Sequence, residues 1–351
     1  MWFYLAVLVG LYFLRRWYRE RQIVKNLTEK YVFITGCDSG FGNQLARQLD
    51  AQGLRVLAAC LTQKGAEQLQ KATSERLKTT ILDVTSTESV VAATEWVKGC
   101  LGDKGLWGLV NNAGIGTPTA ANEWLTKDDF AKVINVNLLG LIDVTLHMLP
   151  LVRRARGRVV NVGSTMGRLA CFGGGYCPAK YGVEAFSDTL RRELHPFGVQ
   201  VSIVEPGAFI TPMAQSVKEG LKTVWSRAPS DVKESYGQHY FEHMHFPVTS
   251  IIAKGLIFGE VGLLSKSSKS TLITQPEYGD CNLLQNLINS GSNNLHLVTD
   301  CIEHALTSCY PRTRYSSGWD AKLFYLPLSY LPTFIGDYVL TRSGAKPAHA
   351  A

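Results

Sequence analysis

The sequence contains no Cys-x-x-Cys pair, and its eight cysteines are scattered singly along 351 residues. This spacing argues against a disulfide framework and suits reduced, cytosol-facing thiols. The chain also has no internal repeat and no low-complexity tract. At 46% hydrophobic residues, a chain of this length can bury one large core. We therefore expect a single globular domain with appended segments.

The formal net charge of +7 includes a basic cluster of Arg153, Arg154, Arg156 and Arg158. The cluster has no interleaved aromatic residues and leads directly into a strand-like run, so a solvated helix end explains it better than nucleic-acid binding. Attraction to anionic lipid at a membrane surface is the other interpretation. We expect no nucleic-acid partner.

The N-terminal residues 1–14 are apolar throughout, and four arginines follow between positions 15 and 21. As a helix at ~1.5 Å per residue this run reaches about 21 Å, short of the ~30 Å hydrocarbon core, so it either spans a thinned bilayer or lies at its interface. No small-residue cleavage site follows, which argues against a removed signal peptide. We predict that residues 1–22 are a membrane anchor whose arginines, and the domain after them, lie in the cytosol.

A second apolar stretch, Leu323 to Leu340, is interrupted by Pro327, Pro332 and Asp337. Prolines and a carboxylate disfavour a spanning helix, so we predict that residues 321–351 form an apolar tail that lies against a membrane. A buried C-terminal helix pair is the alternative.

A glycine-rich turn follows the apolar run Tyr31 to Ile34 and precedes a helical pattern, Asn43 to Ala51. The turn comprises Thr35, Gly36, Cys37, Asp38, Ser39, Gly40, Phe41 and Gly42. Its first glycine permits a tight turn, its second lets backbone N–H groups approach a phosphate, and its third lets the helix pack closely on the strand. Strand, turn and helix together predict a nucleotide-binding loop.

Two further strand-like runs end in residues suited to a site. The run through Leu109 and Val110 leads into two amides and two small residues. These are Asn111, Asn112, Ala113 and Gly114. They suit the side of a cofactor ring, although an ordinary strand-to-loop turn has the same composition. The run Arg158 to Val162 ends just before Ser164, whose hydroxyl is suited to hold a substrate oxygen.

Tyr176 and Lys180 are four residues apart, which places them on one face of a helix. A unit positive charge ~4 Å from the phenol, at an effective dielectric of ~20, is worth roughly 4 kcal/mol, or about three pKa units below the usual ~10. The pair therefore predicts a proton-transfer centre that works near neutral pH. An amphipathic surface pair is the alternative, since this spacing is common.

Strand-like runs alternate with helical patterns from Tyr31 through Glu205. This alternation predicts an α/β fold: a Rossmann-like, doubly wound parallel sheet with helices on both faces. We place this single domain at residues 29–320, between the anchor and the tail.

The chain resembles the short-chain dehydrogenase/reductase family, because three motifs occur in the order typical of that family. They are the glycine turn, residues 111–114 and the serine upstream of Tyr-x-x-x-Lys. The resemblance implies a catalytic tetrad of Tyr176, Lys180, Ser164 and Asn137, in which the asparagine holds a proton-relay water. Ser164 is also the expected substrate contact, and Tyr176 and Lys180 also contact the cofactor.

The resemblance further implies that Asp83 contacts the adenine, and that Pro206, Gly207 and Thr211 form the turn that holds the nicotinamide carboxamide. The full set of expected cofactor contacts, besides Tyr176 and Lys180, is Thr35, Gly36, Ser39, Gly40, Phe41, Gly42, Thr62, Lys64, Asp83, Asn111, Asn112, Ala113, Gly114, Pro206, Gly207 and Thr211.

Residues 30–42 and 311–322 resemble more narrowly the microsomal retinol dehydrogenases and their hydroxysteroid dehydrogenase relatives. That resemblance implies oxidation of retinol to retinal, or of 3α- and 17β-hydroxysteroids to ketones, at the endoplasmic reticulum membrane. The alternatives are a hydroxysteroid dehydrogenase or epimerase with little retinoid activity, and a catalytically silent membrane protein that binds nucleotide or lipid. We expect an apolar small molecule and membrane lipid as partners, and a homodimer is compatible with the sequence.

The choice of cofactor depends on the end of the second strand, Ala58 to Thr62, which carries no Asp or Glu for the adenine-ribose hydroxyls. Lys64 follows closely and suits a 2′-phosphate, although a solvent-facing lysine at a helix start is equally consistent. Because the resembling oxidative enzymes mostly use NAD, we expect NAD, with NADP as the alternative.

Three features depart from the family pattern. Residues 245–294 stand where the family has a shorter lid, as a flexible insertion over the substrate mouth or the product of an unusual gene model. Gly163 stands where relatives often carry a second serine, and Pro178 lies inside the catalytic motif, where a first helical turn tolerates it. His239 and His243 match a zinc-protease spacing, but a third ligand is missing and we expect no metal.

Overall fold

The computed structural model describes residues 2–242, 292–341 and 346–350, without the side chains at positions 3, 6 and 218. These ranges contain every predicted catalytic and cofactor-binding residue. The predicted insertion, residues 245–294, lies almost entirely outside the described residues, and so does His243. The role of the insertion therefore stays a prediction.

Seven parallel strands form one sheet in the described ranges, in the order β3-β2-β1-β4-β5-β6-β7. The strands are β1 (Tyr31–Thr35), β2 (Arg55–Cys60), β3 (Lys78–Ile81), β4 (Gly108–Asn111), β5 (Arg158–Val162), β6 (Gln200–Pro206) and β7 (Arg314–Ser317). The predicted Rossmann-like parallel sheet is confirmed. Because the chain moves from one side of β1 to the other after β3, a crevice opens between β1 and β4 at the carboxyl edge of the sheet.

Helices connect the strands and cover the sheet. They are α1 (Trp2–Glu20), α2 (Gly40–Ala51), α3 (Gln63–Lys71), α4 (Thr87–Leu101), α5 (Lys127–Ile134), α6 (Leu141–Ala155), α7 (Tyr176–Leu194), α8 (Pro212–Arg227), α9 (Ser230–Tyr236), α10 (Gln238–Glu242), α11 (His296–Thr307), α12 (Leu326–Ser329) and α13 (Thr333–Thr341). The apolar sides of α2, α3 and α11 pack in one core layer, and those of α4, α6 and α7 pack in the other. Strands covered on both faces are continuous apolar runs, and such runs located β1, β4 and β5 in the sequence.

One helix of the described residues, Lys127–Ala155, is long and apolar enough to cross a membrane by length and composition. It combines α5, a π-helical turn and α6. Leu141, Val144 and Met148 of α6 are buried in the core layer that also contains Leu109 of β4. Its apolar character is therefore explained by packing on the sheet.

Three boundaries differ from the sequence prediction. Helix α1 continues through the arginines to Glu20, because arginine is a good helix former. Helix α2 begins at Gly40 inside the glycine turn, three residues before the predicted start. The seventh strand, Arg314–Ser317, was not predicted because only Tyr315 and Ser317 are buried and no apolar run marks it.

A π-helical turn, Asn135–Gly140, joins α5 to α6. Such a turn inserts an extra residue and redirects side chains, often at functional sites. Here the Asn137 side chain accepts a hydrogen bond from the N–H of Ile115 and donates one to its carbonyl oxygen, both at 2.8 Å. A Cβ on Gly140 would lie 2.6 Å from the carbonyl oxygen of Val84. The turn that positions Asn137 therefore has no room for a side chain at its last residue.

We expect Gly140→Ala to destabilise the protein by about 1–3 kcal/mol, because the added methyl group forces the turn or Val84 to move. Gly99 is the matched control, since it lies in α4 and a Cβ there would meet nothing within 4 Å. Gly99→Ala should stabilise the helix by about 0.5–1 kcal/mol. Denaturant unfolding of both variants measures the two effects, and equal stability would contradict the tight contact at Gly140.

Candidate active site

In the glycine turn between β1 and α2, two residues have left-handed backbone conformations and a third lies against the backbone of the turn. Gly36 and Gly40 have φ of +71° and +60°, which glycine adopts without strain. A Cβ on Gly42 would lie 2.4 Å from the carbonyl oxygen of Gly36. The turn can therefore close only with glycine at these positions, and it presents the backbone N–H groups at the start of α2 to the crevice.

Side chains of two adjacent strands bind this turn to the loop after β4. The hydroxyl of Thr35 accepts hydrogen bonds from the N–H groups of Asn112 and Ala113, both at 3.0 Å. The side-chain amide of Asn112 donates to the carbonyl oxygens of Thr35 and Gly36 at 2.9 and 3.1 Å. A Cβ on Gly36 would lie 2.8 Å from Cα of Ala113. Thr35 and Asn112 thus fix the width of the crevice.

A groove of about 420 Å³ runs along the carboxyl edge of the sheet from this crevice. Predicted cofactor contacts that line it are Gly36, Ser39, Gly40, Phe41, Thr62, Asp83, Asn112, Ala113, Gly114 and Thr211. Sequence reasoning missed the apolar residues of its wall, which are Leu61, Leu82, Val84, Ile115, Val136, Pro212 and Met213. A glycine cradle followed by a long, partly apolar groove fits a dinucleotide, with its phosphates at the start of α2.

Asp38, in the glycine turn, hydrogen-bonds the residues that follow β2. Its Oδ2 accepts from the N–H of Leu61 at 2.7 Å, and its Oδ1 accepts from the N–H and the hydroxyl of Thr62 at 3.0 and 2.6 Å. A carboxylate has about four acceptor sites, so Asp38, which lines the groove, retains one. The end of β2, Ala58 to Thr62, carries no acid of its own, and the carboxylate in this part of the groove comes from the glycine turn after β1. An aspartate inside that turn was the available signal.

Several predicted cofactor contacts do not line the groove. Asn111 lies in the core, where its amide donates to Thr145 and Asn161 at 2.8 Å each. Thr35 and Gly42 do not line the groove, and their contacts fix the shape of the glycine turn. Lys64 is exposed in the first turn of α3 and does not line the groove. Lys64 was assigned from its distance along the chain to the end of β2, a spacing that does not define where the side chain points.

The turn after β6 closes the other end of the site. Gly207 donates its N–H to the carbonyl oxygen of Ser317 at 2.9 Å, and a Cβ on Gly207 would lie 2.2 Å from Oδ2 of Asp320. That carboxylate accepts the N–H of Ala208 at 2.6 Å. Thr211 caps α8 by accepting the N–H of Ala214 at 3.3 Å. Pro206 and Gly207 line the pocket beside Tyr176 and do not line the groove, so their contact with the nicotinamide carboxamide stays a prediction.

The first two turns of α7 carry the predicted proton-transfer pair. Ser164 hydrogen-bonds the phenol of Tyr176, and its Oγ also accepts the N–H of Met166 at 3.1 Å. Nζ of Lys180 donates to the carbonyl oxygen of Val162 at 2.8 Å and lies 5.6 Å from the ring centre of Tyr176. The structure therefore brings Ser164, Tyr176 and Lys180 together at the end of β5. Pro178 lies in the first turn of α7, where no intrahelical N–H is needed.

Burial dominates the acid-base properties of this pair. Burial of the phenol raises the pKa of Tyr176 to about 12, and the hydrogen bond with Ser164 opposes this increase. Burial also lowers the pKa of Lys180 to about 8, which the charge of Glu184 opposes. The prediction that Tyr176 titrates near neutral pH is wrong for the protein alone. The ammonium binds the carbonyl oxygen of Val162 and not the phenol, so desolvation outweighs its attraction.

Asn137, the fourth predicted member, is buried and lines neither cavity. Its side chain holds Ile115, which lines the groove, through the two hydrogen bonds described above. The structure thus places Asn137 behind the groove as a support of its wall.

A second cavity of about 240 Å³ opens on the substrate side of Tyr176 and shares Phe41, Asn112, Gly114, Thr211 and Met213 with the groove. Its apolar lining includes Met166, Phe172, Phe209, Val217 and Tyr325. Sequence reasoning found none of these five residues, because side chains from four separate segments converge only in the fold. An apolar pocket that is lined by a serine, a tyrosine and a lysine and adjoins a dinucleotide groove can oxidise or reduce an apolar alcohol or ketone.

Residues 30–222, more than half of the chain, match the family model for short chain dehydrogenases. The chain belongs to this family. The family uses NAD or NADP, which agrees with the fit of the groove. In a solved short-chain dehydrogenase from Streptomyces avermitilis, 95% of the chain superimposes on 88% of this one with a TM-score of 0.61 and 24% identity. That likeness concerns the fold alone.

Full-length relatives are more similar in sequence. The chain is 59% identical to 17-beta-hydroxysteroid dehydrogenase type 6 of Homo sapiens over 353 aligned positions, with complete coverage of both chains. It is 56% identical, again with complete coverage, to retinol dehydrogenase 7 of Rattus norvegicus and to retinol dehydrogenase 16 of Homo sapiens. The resemblance to hydroxysteroid and retinol dehydrogenases is therefore confirmed.

Proposed function

We propose that this protein oxidises an apolar alcohol with NAD, taking retinol to retinal and, as a second activity, 3α- or 17β-hydroxysteroids to ketones. The observation that carries the proposal is that Ser164, Tyr176 and Lys180 together line an apolar pocket that adjoins a dinucleotide groove. The names of the full-length relatives support both substrate classes.

In the proposed reaction the hydroxyl of Ser164 holds the substrate oxygen, and Tyr176 removes the hydroxyl proton. Lys180 stabilises the phenolate by moving its ammonium from Val162 toward the phenol, which lowers the pKa that burial raises. Bound NAD would supply the hydride acceptor on its nicotinamide ring. Asn137 keeps the groove wall at Ile115 in place, so that the reacting atoms stay aligned.

We expect Tyr176→Phe to lower turnover at least ~100-fold, because a positioned acid-base group typically contributes that much. The assay follows NAD reduction by membranes that contain the protein, with all-trans-retinol and with androstanediol. Tyr181→Phe is the matched control, since Tyr181 lies on the same helix but is exposed, and it should keep wild-type activity. Full activity of Tyr176→Phe would contradict the mechanism. Wild-type protein that binds NAD without turnover of either alcohol would favour the silent binding protein.

We propose NAD as the preferred cofactor because Asp38 brings a carboxylate to the groove beside Leu61 and Thr62. A carboxylate accepts a hydrogen bond from a ribose hydroxyl and repels a 2′-phosphate. Lys64 points to solvent and does not offset that repulsion. Preference for NAD over NADP follows from this difference in charge.

We expect Asp38→Asn to reduce the ratio of kcat/KM with NAD to kcat/KM with NADP about tenfold, equivalent to about 1.4 kcal/mol. Lys64→Gln should leave this ratio unchanged. Steady-state kinetics with both dinucleotides measures the two variants. If Lys64→Gln selectively impaired NADP and Asp38→Asn changed nothing, the discrimination would belong to Lys64.

We further propose that α1 anchors the protein in the endoplasmic reticulum membrane, with the catalytic domain in the cytosol. Its large apolar side chains, among them Leu5, Leu8 and Leu11, are exposed and pack on no core. Its apolar part, residues 2–14, reaches about 20 Å at ~1.5 Å per residue, so it would span a thinned bilayer or lie at the interface. The arginines at its C-terminal end support the cytosolic orientation.

A double substitution, Leu8→Lys with Leu11→Lys, tests the anchor. Each lysine at the centre of a membrane helix costs about 2.5–3.5 kcal/mol, so the variant should move to the soluble fraction after alkaline extraction. Leu139 and Leu146 are equally exposed leucines on the domain, and lysines there should leave the membrane fraction unchanged. Membrane retention of the α1 variant would contradict the anchor.

A further inference from the structure

Tyr176, Lys180 and Glu184 repeat every four residues and lie on one face of α7. Lys180 and Glu184 are each only 6% exposed. A buried ammonium keeps its charge only when an opposite charge is near. Glu184 is the residue one turn beyond Lys180, and the reaction proposed above does not use it.

Among the described residues, only one of the two Glu184 carboxylate oxygens has hydrogen-bond partners. Its Oε2 accepts from Nη2 and Nε of Arg314 at 2.9 and 3.2 Å. Its Oε1 is buried and has no hydrogen-bond partner among the described residues. This oxygen would lie 3.2 Å from a Cβ on Gly163. Gly163 stands between Val162, which binds Lys180, and Ser164, so the free oxygen faces the backbone of the catalytic loop.

Charged groups from four elements surround Glu184. Strand β6 contributes Glu205, which is 1% exposed and pairs with Arg168 of the loop after β5 at 3.1 Å. Strand β7 contributes Arg314, which lies 3.8 Å from Glu205 and 3.0 Å from Asp188 of α7. At the solvent side, Arg191 pairs with Asp188 at 3.5 Å.

This cluster contains three carboxylates, Glu184, Glu205 and Asp188, and three guanidinium groups, which belong to Arg168, Arg314 and Arg191. Glu184 and Glu205 are more buried than the guanidinium groups of Arg314 and Arg168 that pair with them, so the buried negative charge favours the ammonium of Lys180. Burial and the neighbouring Glu205 raise the pKa of Glu184 to about 7, against the opposing effect of Arg314. Burial lowers the pKa of Lys180 to about 8, and Glu184 opposes this decrease.

We propose that Glu184 is a positioning residue that keeps Lys180 charged, and thereby sets the alkaline limit of the reaction. Glu184 does not touch the substrate or the reacting atoms; it acts through Lys180. Gly163 is part of this arrangement, because a side chain there would meet Oε1 of Glu184. The inference rests on the proposed alcohol oxidation, since Lys180 has its role in that reaction.

The first test is the pH profile of kcat/KM for retinol oxidation by full-length protein. Glu184→Gln removes the negative charge beside Lys180, so the alkaline limb should move to lower pH by about one unit. Glu184→Asp keeps the charge and should restore the limb. Asp188→Asn is the matched control, because Asp188 binds the same Nη2 of Arg314 without acting on Lys180. Identical profiles for Glu184→Gln and Asp188→Asn would overturn the proposal.

The second test does not depend on activity. Because the pKa of Glu184 is raised from 4.5 to about 7 in the folded protein, its proton stabilises the fold below about pH 4.5, and this stability is lost as pH rises through 7. The unfolding temperature of Glu184→Gln, relative to wild type, should therefore increase between about pH 5 and pH 8.

Asp188 is the opposite case, since its pKa is lowered by the hydrogen bond and charge of Arg314, although burial acts to raise it. Its contribution is lost only as pH falls through that lowered value, so Asp188→Asn should show no such trend between about pH 5 and pH 8. If the difference in unfolding temperature between Glu184→Gln and wild type did not change with pH, the proposed titration of Glu184 in the buried cluster would be wrong. If wild-type protein oxidised no alcohol but the unfolding temperatures showed the expected pH dependence, the proposed reaction would be wrong and the titration of Glu184 in the buried cluster would be supported.

Discussion

The site depends on one contact, the approach of the glycine turn after β1 to the loop after β4. Thr35 and Asn112 fix this contact with four hydrogen bonds, and Gly36 leaves no space for a Cβ against Ala113. It lies where the strand order reverses, so the two loops diverge beyond it and a groove opens. The phosphate cradle, the groove wall and the shared border with the substrate pocket all follow from holding these two loops together.

Burial opposes the charged forms of both catalytic groups, Tyr176 and Lys180. A water-poor pocket suits an apolar alcohol and strengthens charge interactions, yet the same desolvation raises the pKa of Tyr176 to about 12 and lowers that of Lys180 to about 8. Neither change favours a phenolate beside an ammonium. The cluster of Glu184, Glu205 and Arg314 lies directly behind Lys180 and supplies charge that solvent does not. A buried lysine of this kind requires such a background, because an unpaired buried charge is lost by titration.

The parts of the site that depend on local backbone geometry were predictable from sequence. The glycines of the turn and the spacing of Tyr176 and Lys180 encode their own structure. The contact of Asp38 with the residues after β2 was not predicted because its partners are distant in sequence, and Asn111 was assigned to the cofactor although its amide is used inside the core. The seventh strand at Arg314 was missed, since an edge strand that is only half buried has no continuous apolar run. In each case the deciding contact is distant in sequence.

The two predicted membrane segments join the domain at opposite edges of the sheet. The chain after α1 is bound at the amino edge, where Val24 donates to Thr307 and Gln22 accepts from Cys309, both at 2.8 Å. The tail lies at the carboxyl edge, where Tyr325 lines the substrate pocket while Leu323 and other apolar side chains are exposed. A flat bilayer in contact with both segments would therefore lie along the strands of the sheet, so that the proposed anchor at α1 and the exposed apolar side chains of the tail would face the same membrane.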